Sequence, residues 1–238
     1  MWIQRFFNFI VLSWIKFWSR FFFWIENNWI HEHTEDPWKG VRLIVFLNHT
    51  SLYEGLFLGA VPWRLLYRAA GRIVIPAADV TLNRPIVGPI LKLFSPKLVP
   101  ISRKRDDTWD HFMNLIDDDS LVIILPEGRM KRATGLDKNG MPMTVRGGIA
   151  DILEIVNKGK MVIMYSGGLH HVQAPGQLLP KLFREITMNS EKLDIEEYIK
   201  EMRSKEDQDF KTTVVIDLER RRDKYGPKEH PSPQESKS

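Results

Sequence analysis

Three short apolar runs constrain the fold of this chain most: VRLIVFL at 41–47, LVIIL at 121–125 and MVIMY at 161–165. Apart from Arg42 each is wholly apolar or aromatic, rich in β-branched residues and without polar–apolar alternation. A strand written this way has both faces covered, the condition of a parallel sheet layered between helices. The stretches between the runs carry helical spacing. From Pro37 onward the expected strands are Val41–Leu47, Arg72–Ile75, Lys97–Ile101, Leu121–Leu125 and Met161–Tyr165, with Thr212–Leu218 as an edge strand. The expected helices are Ser51–Ala60, Arg84–Phe94, Thr108–Asp118, Arg146–Asn157 and Ile195–Arg203. Strands alternating with helices define an α/β fold, a mostly parallel sheet flanked by helices.

The first 36 residues differ in kind. Six of the eight tryptophans and seven of the thirteen phenylalanines fall within residues 1–38. Arg5, Lys16, Arg20 and Glu26 interrupt the segment, and its longest uncharged run is 10 residues. That is well short of the roughly 20 needed to span a bilayer. No small-x-small cleavage site follows, so a signal peptide fits poorly. On a helical wheel the polar residues gather on one half and Phe, Ile, Leu and Trp on the other. The expectation is an amphipathic helix or helix pair lying in the membrane interface, peripheral or monotopic, on the cytoplasmic face. The rival is a helix packed on the domain's own core. HEHTED at 31–36 has a His-x-His pair but no evident third and fourth ligand, so it reads as a polar linker rather than a metal site. The chain thus divides into a membrane-associating segment, 1–36, a domain, 37–218, and a polar tail, 219–238, disordered near its end.

The net charge of +4 favours anionic partners. Nucleic acid is not among the expected ones, because the cations are not interleaved with aromatics in a groove-like pattern. The absence of cysteine excludes disulfides.

Sites in parallel α/β sheets lie beyond the carboxyl ends of the strands. His49, Arg103 and Glu127 each follow an expected strand directly, so they share one address. Histidine is the side chain best suited to exchange a proton near neutrality, and it works best when a carboxylate fixes its tautomer. Glu54 could do this for His49. Ser51-Leu52-Tyr53-Glu54 is equally a capping box, in which Glu54 only holds the helix start, and the residues alone leave both roles open. Arg103 in VPISRKR, and Arg129 and Arg132 after Pro126-Glu127-Gly128, suit a phosphate group. Pro-Glu-Gly is also an ordinary turn.

Taken in order, NHTSLYE, VPISR, PEGR and VIMY resemble the glycerolipid acyltransferase family, typified by the 1-acylglycerol-3-phosphate acyltransferases, across about residues 40–170. The resemblance implies that His49 is the general base for an acceptor hydroxyl and that Glu54 orients it. It implies that Arg103 holds the acceptor phosphate and that Glu127 and Gly128 help position the same molecule. The family's usual Asp is Glu54 here, and Arg129-Met130 stands where Thr-Arg is usual, which leaves Arg129 or Arg132 to replace the motif's arginine. The implied donor is acyl-CoA or acyl-carrier protein, with no metal or other cofactor. The implied partners are a phospholipid membrane and a lysophospholipid acceptor. A different lysolipid, a lipid A-type acceptor, or a non-catalytic membrane-binding relative are the alternatives.

Overall fold

The structure is a computed structural model describing residues 2–78, 82, 97–102, 106–173, 177, 179–205 and 207–228. In chain order the first elements are α1 (Trp2–Phe22), β1 (Phe23–Trp29), β2 (Val41–Leu47), a 3₁₀ helix (Glu54–Gly59) and α2 (Trp63–Ala69). They are followed by β3 (Ile73–Ala78), β4 (Lys97–Ile101), α3 (Asp107–Asn114), β5 (Leu121–Ile124) and α4 (Gly148–Val156). The last are β6 (Lys160–Ser166), β7 (Arg184–Asp194), α5 (Ile195–Arg203) and α6 (Phe210–Tyr225).

The described strands form one sheet in the order β1-β7-β6-β2-β5-β3-β4. Neighbours from β6 to β4 are parallel, β7 runs antiparallel to β6, and β1 is parallel to β7. The α/β reading therefore holds, with an antiparallel pair added at one edge. Side chains leave β2 to both faces. Leu43, Val45 and Leu47 pack with Ile149, Leu153, Tyr198 and Val214 from α4, α5 and α6. Ile44 packs on the other face with Leu12 of α1, Phe57 of the 3₁₀ helix and Leu66 of α2.

Four expectations change. Residues 23–29, read with the membrane segment, are β1, in register with β7 from Phe23↔Arg184 to Trp29↔Ser190. The N-terminal segment is thus one helix followed by a strand of the domain's own sheet. β7 itself escaped the sequence reading because Ser190 and Glu191 are buried by hydrogen bonding, to Asn27 and to Tyr165 and Arg221. Those polar residues break the apolar signal. Thr212–Leu218, read as an edge strand from its β-branched residues, lies within α6. Asp209 caps that helix by accepting from the Thr212 amide at 3.1 Å, and Thr213, Val214, Asp217 and Leu218 are buried at helical spacing. The polar tail also begins later than residue 219, since α6 runs to Tyr225. The helix expected at Arg84–Phe94 lies outside the described residues.

The amphipathic α1 is inverted relative to a helix merely resting on a protein. Its buried residues are Asn8, Leu12, Lys16 and Ser19, while Trp2, Ile3, Phe6, Phe7, Ile10, Trp14, Phe17 and Phe21 are exposed. Lys16 Nζ donates to the Gly59 carbonyl at 2.8 Å, Ser19 Oγ donates to the Leu56 carbonyl, and Arg5 lies over the Tyr67 ring. Burial, and then the neighbouring Arg20 charge, hold the Lys16 amine below its usual range. The polar stripe grips the domain and the aromatic stripe faces outward.

Candidate active site

The chain turns sharply where β2 ends. Asn48 adopts φ = 65°, a left-handed conformation that asparagine tolerates, and its Nδ2 donates to the Ser166 carbonyl at the end of β6 at 2.8 Å. His49 follows. Its backbone is held on both sides: the His49 carbonyl accepts from the Lys131 amide at 2.7 Å, and the His49 amide donates to Glu127 Oε2 at 2.8 Å. Glu127 is 2% exposed and stands just beyond β5, the strand beside β2. Its Oε1 also accepts from the Asn48 amide at 3.3 Å and from Arg222 Nη1 at 3.0 Å.

The imidazole of His49 is 16% exposed, and its Nδ1 lies 3.1 Å from Glu54 Oε1, whose side chain is 10% exposed. This is charge-pairing distance, although Nδ1 makes no well-aligned hydrogen bond. Catalytic hydrogen bonds are commonly loose before substrate binds. Glu54 Oε1 accepts at the same time from the amides of Thr50 and Ser51, each at 2.9 Å. Of the two roles left open in the sequence, the carboxylate oxygen faces His49 and also holds the Ser51 amide, but the helix starts at Glu54 with Tyr53 at its N-cap, so Ser51 caps nothing. The expected Ser51–Ala60 helix is here the 3₁₀ helix Glu54–Gly59. Burial pushes the imidazole pKa down, but the nearby carboxylate of Glu54, and then that of Glu127, outweigh it, so the net shift is upward. With Nδ1 turned to a carboxylate, Nε2 is the nitrogen left to exchange a proton, and it has no partner among the described residues.

The remaining candidates divide. Gly128 has φ = 61° and forms the turn after Pro126; a β-carbon there would stand 3.2 Å from Arg146 Nε. Arg129 is paired with Asp137, which is fully buried. Arg132 is half-buried, and its guanidinium has no partner among the described residues. Arg103 lies outside them. The structure thus brings together His49, Glu54, Glu127 and Gly128 and turns Arg129 to an acid of its own loop.

Arg222 had no signal in the sequence. It sits in α6, in the arginine run 220–222 that reads equally as a lipid-headgroup contact or a solvated run, yet Nη1 reaches both Glu127 and the Met143 carbonyl, the latter at 3.0 Å. The other two arginines are also structural. Arg221 joins Glu191 and Asp217, which in turn hold Tyr165 and Tyr198, and Arg220 joins Asp217.

His49, with a carboxylate beside it, stands beyond the carboxyl end of the central strand, where the sites of α/β sheets lie. The chain belongs to the acyltransferase family: the family model described as Acyltransferase matches residues 30–163, more than half of the 238 residues. Among solved structures it is similar to the 1-acyl-sn-glycerophosphate (LPA) acyltransferase PlsC of Thermotoga maritima, at 18% identity and a TM-score of 0.49, over 88% of this chain and 77% of that one. No curated protein sequence matches it. No helix among the described residues is long and apolar enough to cross a membrane.

Proposed function

We propose that this acyltransferase works at a membrane surface and moves a fatty acyl chain from acyl-CoA or acyl-carrier protein to the free hydroxyl of a lysophospholipid, with 1-acylglycerol-3-phosphate as the first acceptor to test. The observation that carries this reading is the His49–Glu54 pair, 3.1 Å apart and shielded from bulk water, in a chain of this family.

In the reaction the acceptor hydroxyl gives its proton to His49 Nε2 as its oxygen forms a bond to the thioester carbonyl carbon. The carbon–sulfur bond then breaks, and the leaving thiolate takes the proton back from the imidazolium. Glu54 opposes the positive charge that His49 carries between those two transfers, and general-base help of this kind contributes roughly 10²–10⁴ in rate. Glu127 serves best as a positioning residue, since its carboxylate is already engaged by the amides of Asn48 and His49 and by Arg222. Arg132, and Arg103 ahead of α3, are the cations for the acceptor phosphate. The outward aromatic face of α1 supports attachment to a bilayer, where tryptophan and phenylalanine favour the headgroup boundary. Of the α1 cations Arg5, Lys16 and Arg20, Lys16 is buried in the domain and Arg20 is the most exposed, so Arg20 is the one placed to meet anionic lipid.

The test is thiol release from oleoyl-CoA by vesicle-bound protein, with and without lysophosphatidic acid, for wild type and His49→Ala. Release that requires the lyso-lipid and disappears in the variant is the expected result. Equal release by both proteins refutes the role of His49. The double engagement of Glu54 Oε1 supports a second reading, a non-catalytic relative in which Glu54 only holds the Thr50 and Ser51 amides. Glu54→Gln separates the two, because the amide oxygen still accepts from them while the charge facing His49 is gone.

A further inference from the structure

Beyond α1, the described chain exposes a second aromatic cluster. Trp24 is 66% exposed, Phe183 58%, Leu182 43% and Leu179 75%. These residues are not a loose fringe. The Phe183 amide donates to the Phe22 carbonyl at 2.8 Å, and the Phe183 ring lies 5.8 Å from that of Phe22 and 6.5 Å from that of Trp24. Phe183 also adopts φ = 57°. A left-handed phenylalanine is strained, and here the strained residue presents its ring to the outside. The cluster is continuous through Phe22 with the outward face of α1.

Its height along the sheet is set by register. Leu47, two residues before His49, pairs with Tyr165, and Ser166 at the end of β6 pairs with Met188. β7 runs the other way, so Arg184 stands four residues, roughly 13 Å, beyond that level. Phe183 lies further out still. The cluster therefore overhangs the end of the sheet onto which His49 opens. Arg184 beside it is exposed, as is Arg20, and both could lie at headgroup level.

We infer that Trp24, Leu182 and Phe183 form a second lipid-contacting surface, which enters the same phospholipid leaflet as α1 and turns the His49 end of the sheet toward it. This rests on the membrane reading proposed above. A single helix seated by its apolar face restrains roll of the domain about the helix axis only through its own narrow width. A second contact off that axis limits the roll further, so that an acceptor held in the leaflet meets the site without leaving it.

The chain has no cysteine, which allows single reporters. Leu182→Cys, Ile10→Cys on α1 and Glu201→Cys on α5 are each labelled with a polarity-sensitive fluorophore. Each is then mixed with phosphatidylcholine–phosphatidylglycerol vesicles carrying doxyl-labelled lipid. Quenching at positions 182 and 10 but not at 201 is expected. Quenching at 10 alone overturns the second contact and leaves the membrane reading intact; quenching at neither 10 nor 182 overturns both. In parallel, Leu182→Asp with Phe183→Asp should weaken vesicle partitioning at least tenfold with an unchanged thermal melt, since aspartate accepts the left-handed conformation. Unchanged partitioning in that variant refutes the inference.

Discussion

Arg222→Gln probes the link between the C-terminal helix and the candidate base. Arg222 Nη1 lies 3.0 Å from Glu127 Oε1, and the two side chains are 18% and 1% exposed. Removing one partner of a buried ion pair typically costs about 3–5 kcal/mol. The partial exposure of Arg222, and the two backbone amides that still serve Glu127, reduce this to about 2 kcal/mol. At a urea dependence of about 2–3 kcal/mol per molar, the unfolding midpoint falls by about 0.7–1 M. The second consequence concerns charge. Glu127 raises the pKa of His49, and Arg222 partly cancels that carboxylate. Without the guanidinium the imidazolium is favoured further, so the acid limb of the kcat/KM profile moves to higher pH. Arg222→Lys should restore both quantities in part. A cycle with Glu127→Gln isolates the pair, with a coupling of about 1–2 kcal/mol expected. Additive effects with an unmoved acid limb would refute the argument.

Four shorter predictions follow from the same geometry. Glu54→Gln should move the acid limb to lower pH, because the carboxylate that raises the His49 pKa is lost, and kcat should fall at least tenfold. Glu54→Asp withdraws the carboxylate by about 1.5 Å; thiol-release kinetics should show a lower kcat with KM little changed, and wild-type kcat would refute the need for the longer side chain. Gly128→Ala meets a left-handed φ and Arg146 at 3.2 Å, so a urea titration should show a loss of about 1–2 kcal/mol. His49 also makes stability depend on pH. Its folded pKa is raised, so its contribution is fully present below the unfolded value and disappears as pH rises through the folded one. The stability difference between wild type and His49→Gln should therefore shrink with increasing pH over that window.

The central strands were legible because burial on both faces forces uninterrupted apolar runs, and Leu121–Leu125 and Met161–Tyr165 match β5 and β6 to within a residue at either end. β1 was not, because FWIENNW suits the continuation of an aromatic helix as well as an edge strand, and the choice is made by backbone pairing with β7, 161 residues away. β7 and α6 failed for opposite reasons. In β7 polar residues are buried by distant partners, and in α6 β-branched residues are held helical by a cap and by packing. The His49–Glu54 pair could be read because both residues lie in one short stretch. The part of Glu127 in holding the His49 backbone, and of Arg222 behind it, could not. Those contacts join segments 78 and 95 residues apart, and no local pattern announces them.

The inversion of α1 ties the fold to the proposed activity. A helix that docks through apolar side chains cannot also offer them to lipid. α1 buries one apolar side chain completely, Leu12, and docks otherwise through Lys16, Ser19 and Arg5, which donate to carbonyls of Gly59, Leu56 and Tyr67 near the ends of the 3₁₀ helix and α2. Such bonds hold the helix on the domain while its indole and phenyl rings stay outward. Gly59 makes the approach possible, since a β-carbon there would stand 2.1 Å from Ile25 and 2.8 Å from the Ser19 hydroxyl. The 3₁₀ helix gripped in this way begins at Glu54. One six-residue helix therefore links the group that faces His49 to the surface that carries the outward aromatic helix, while α1 itself runs straight into β1.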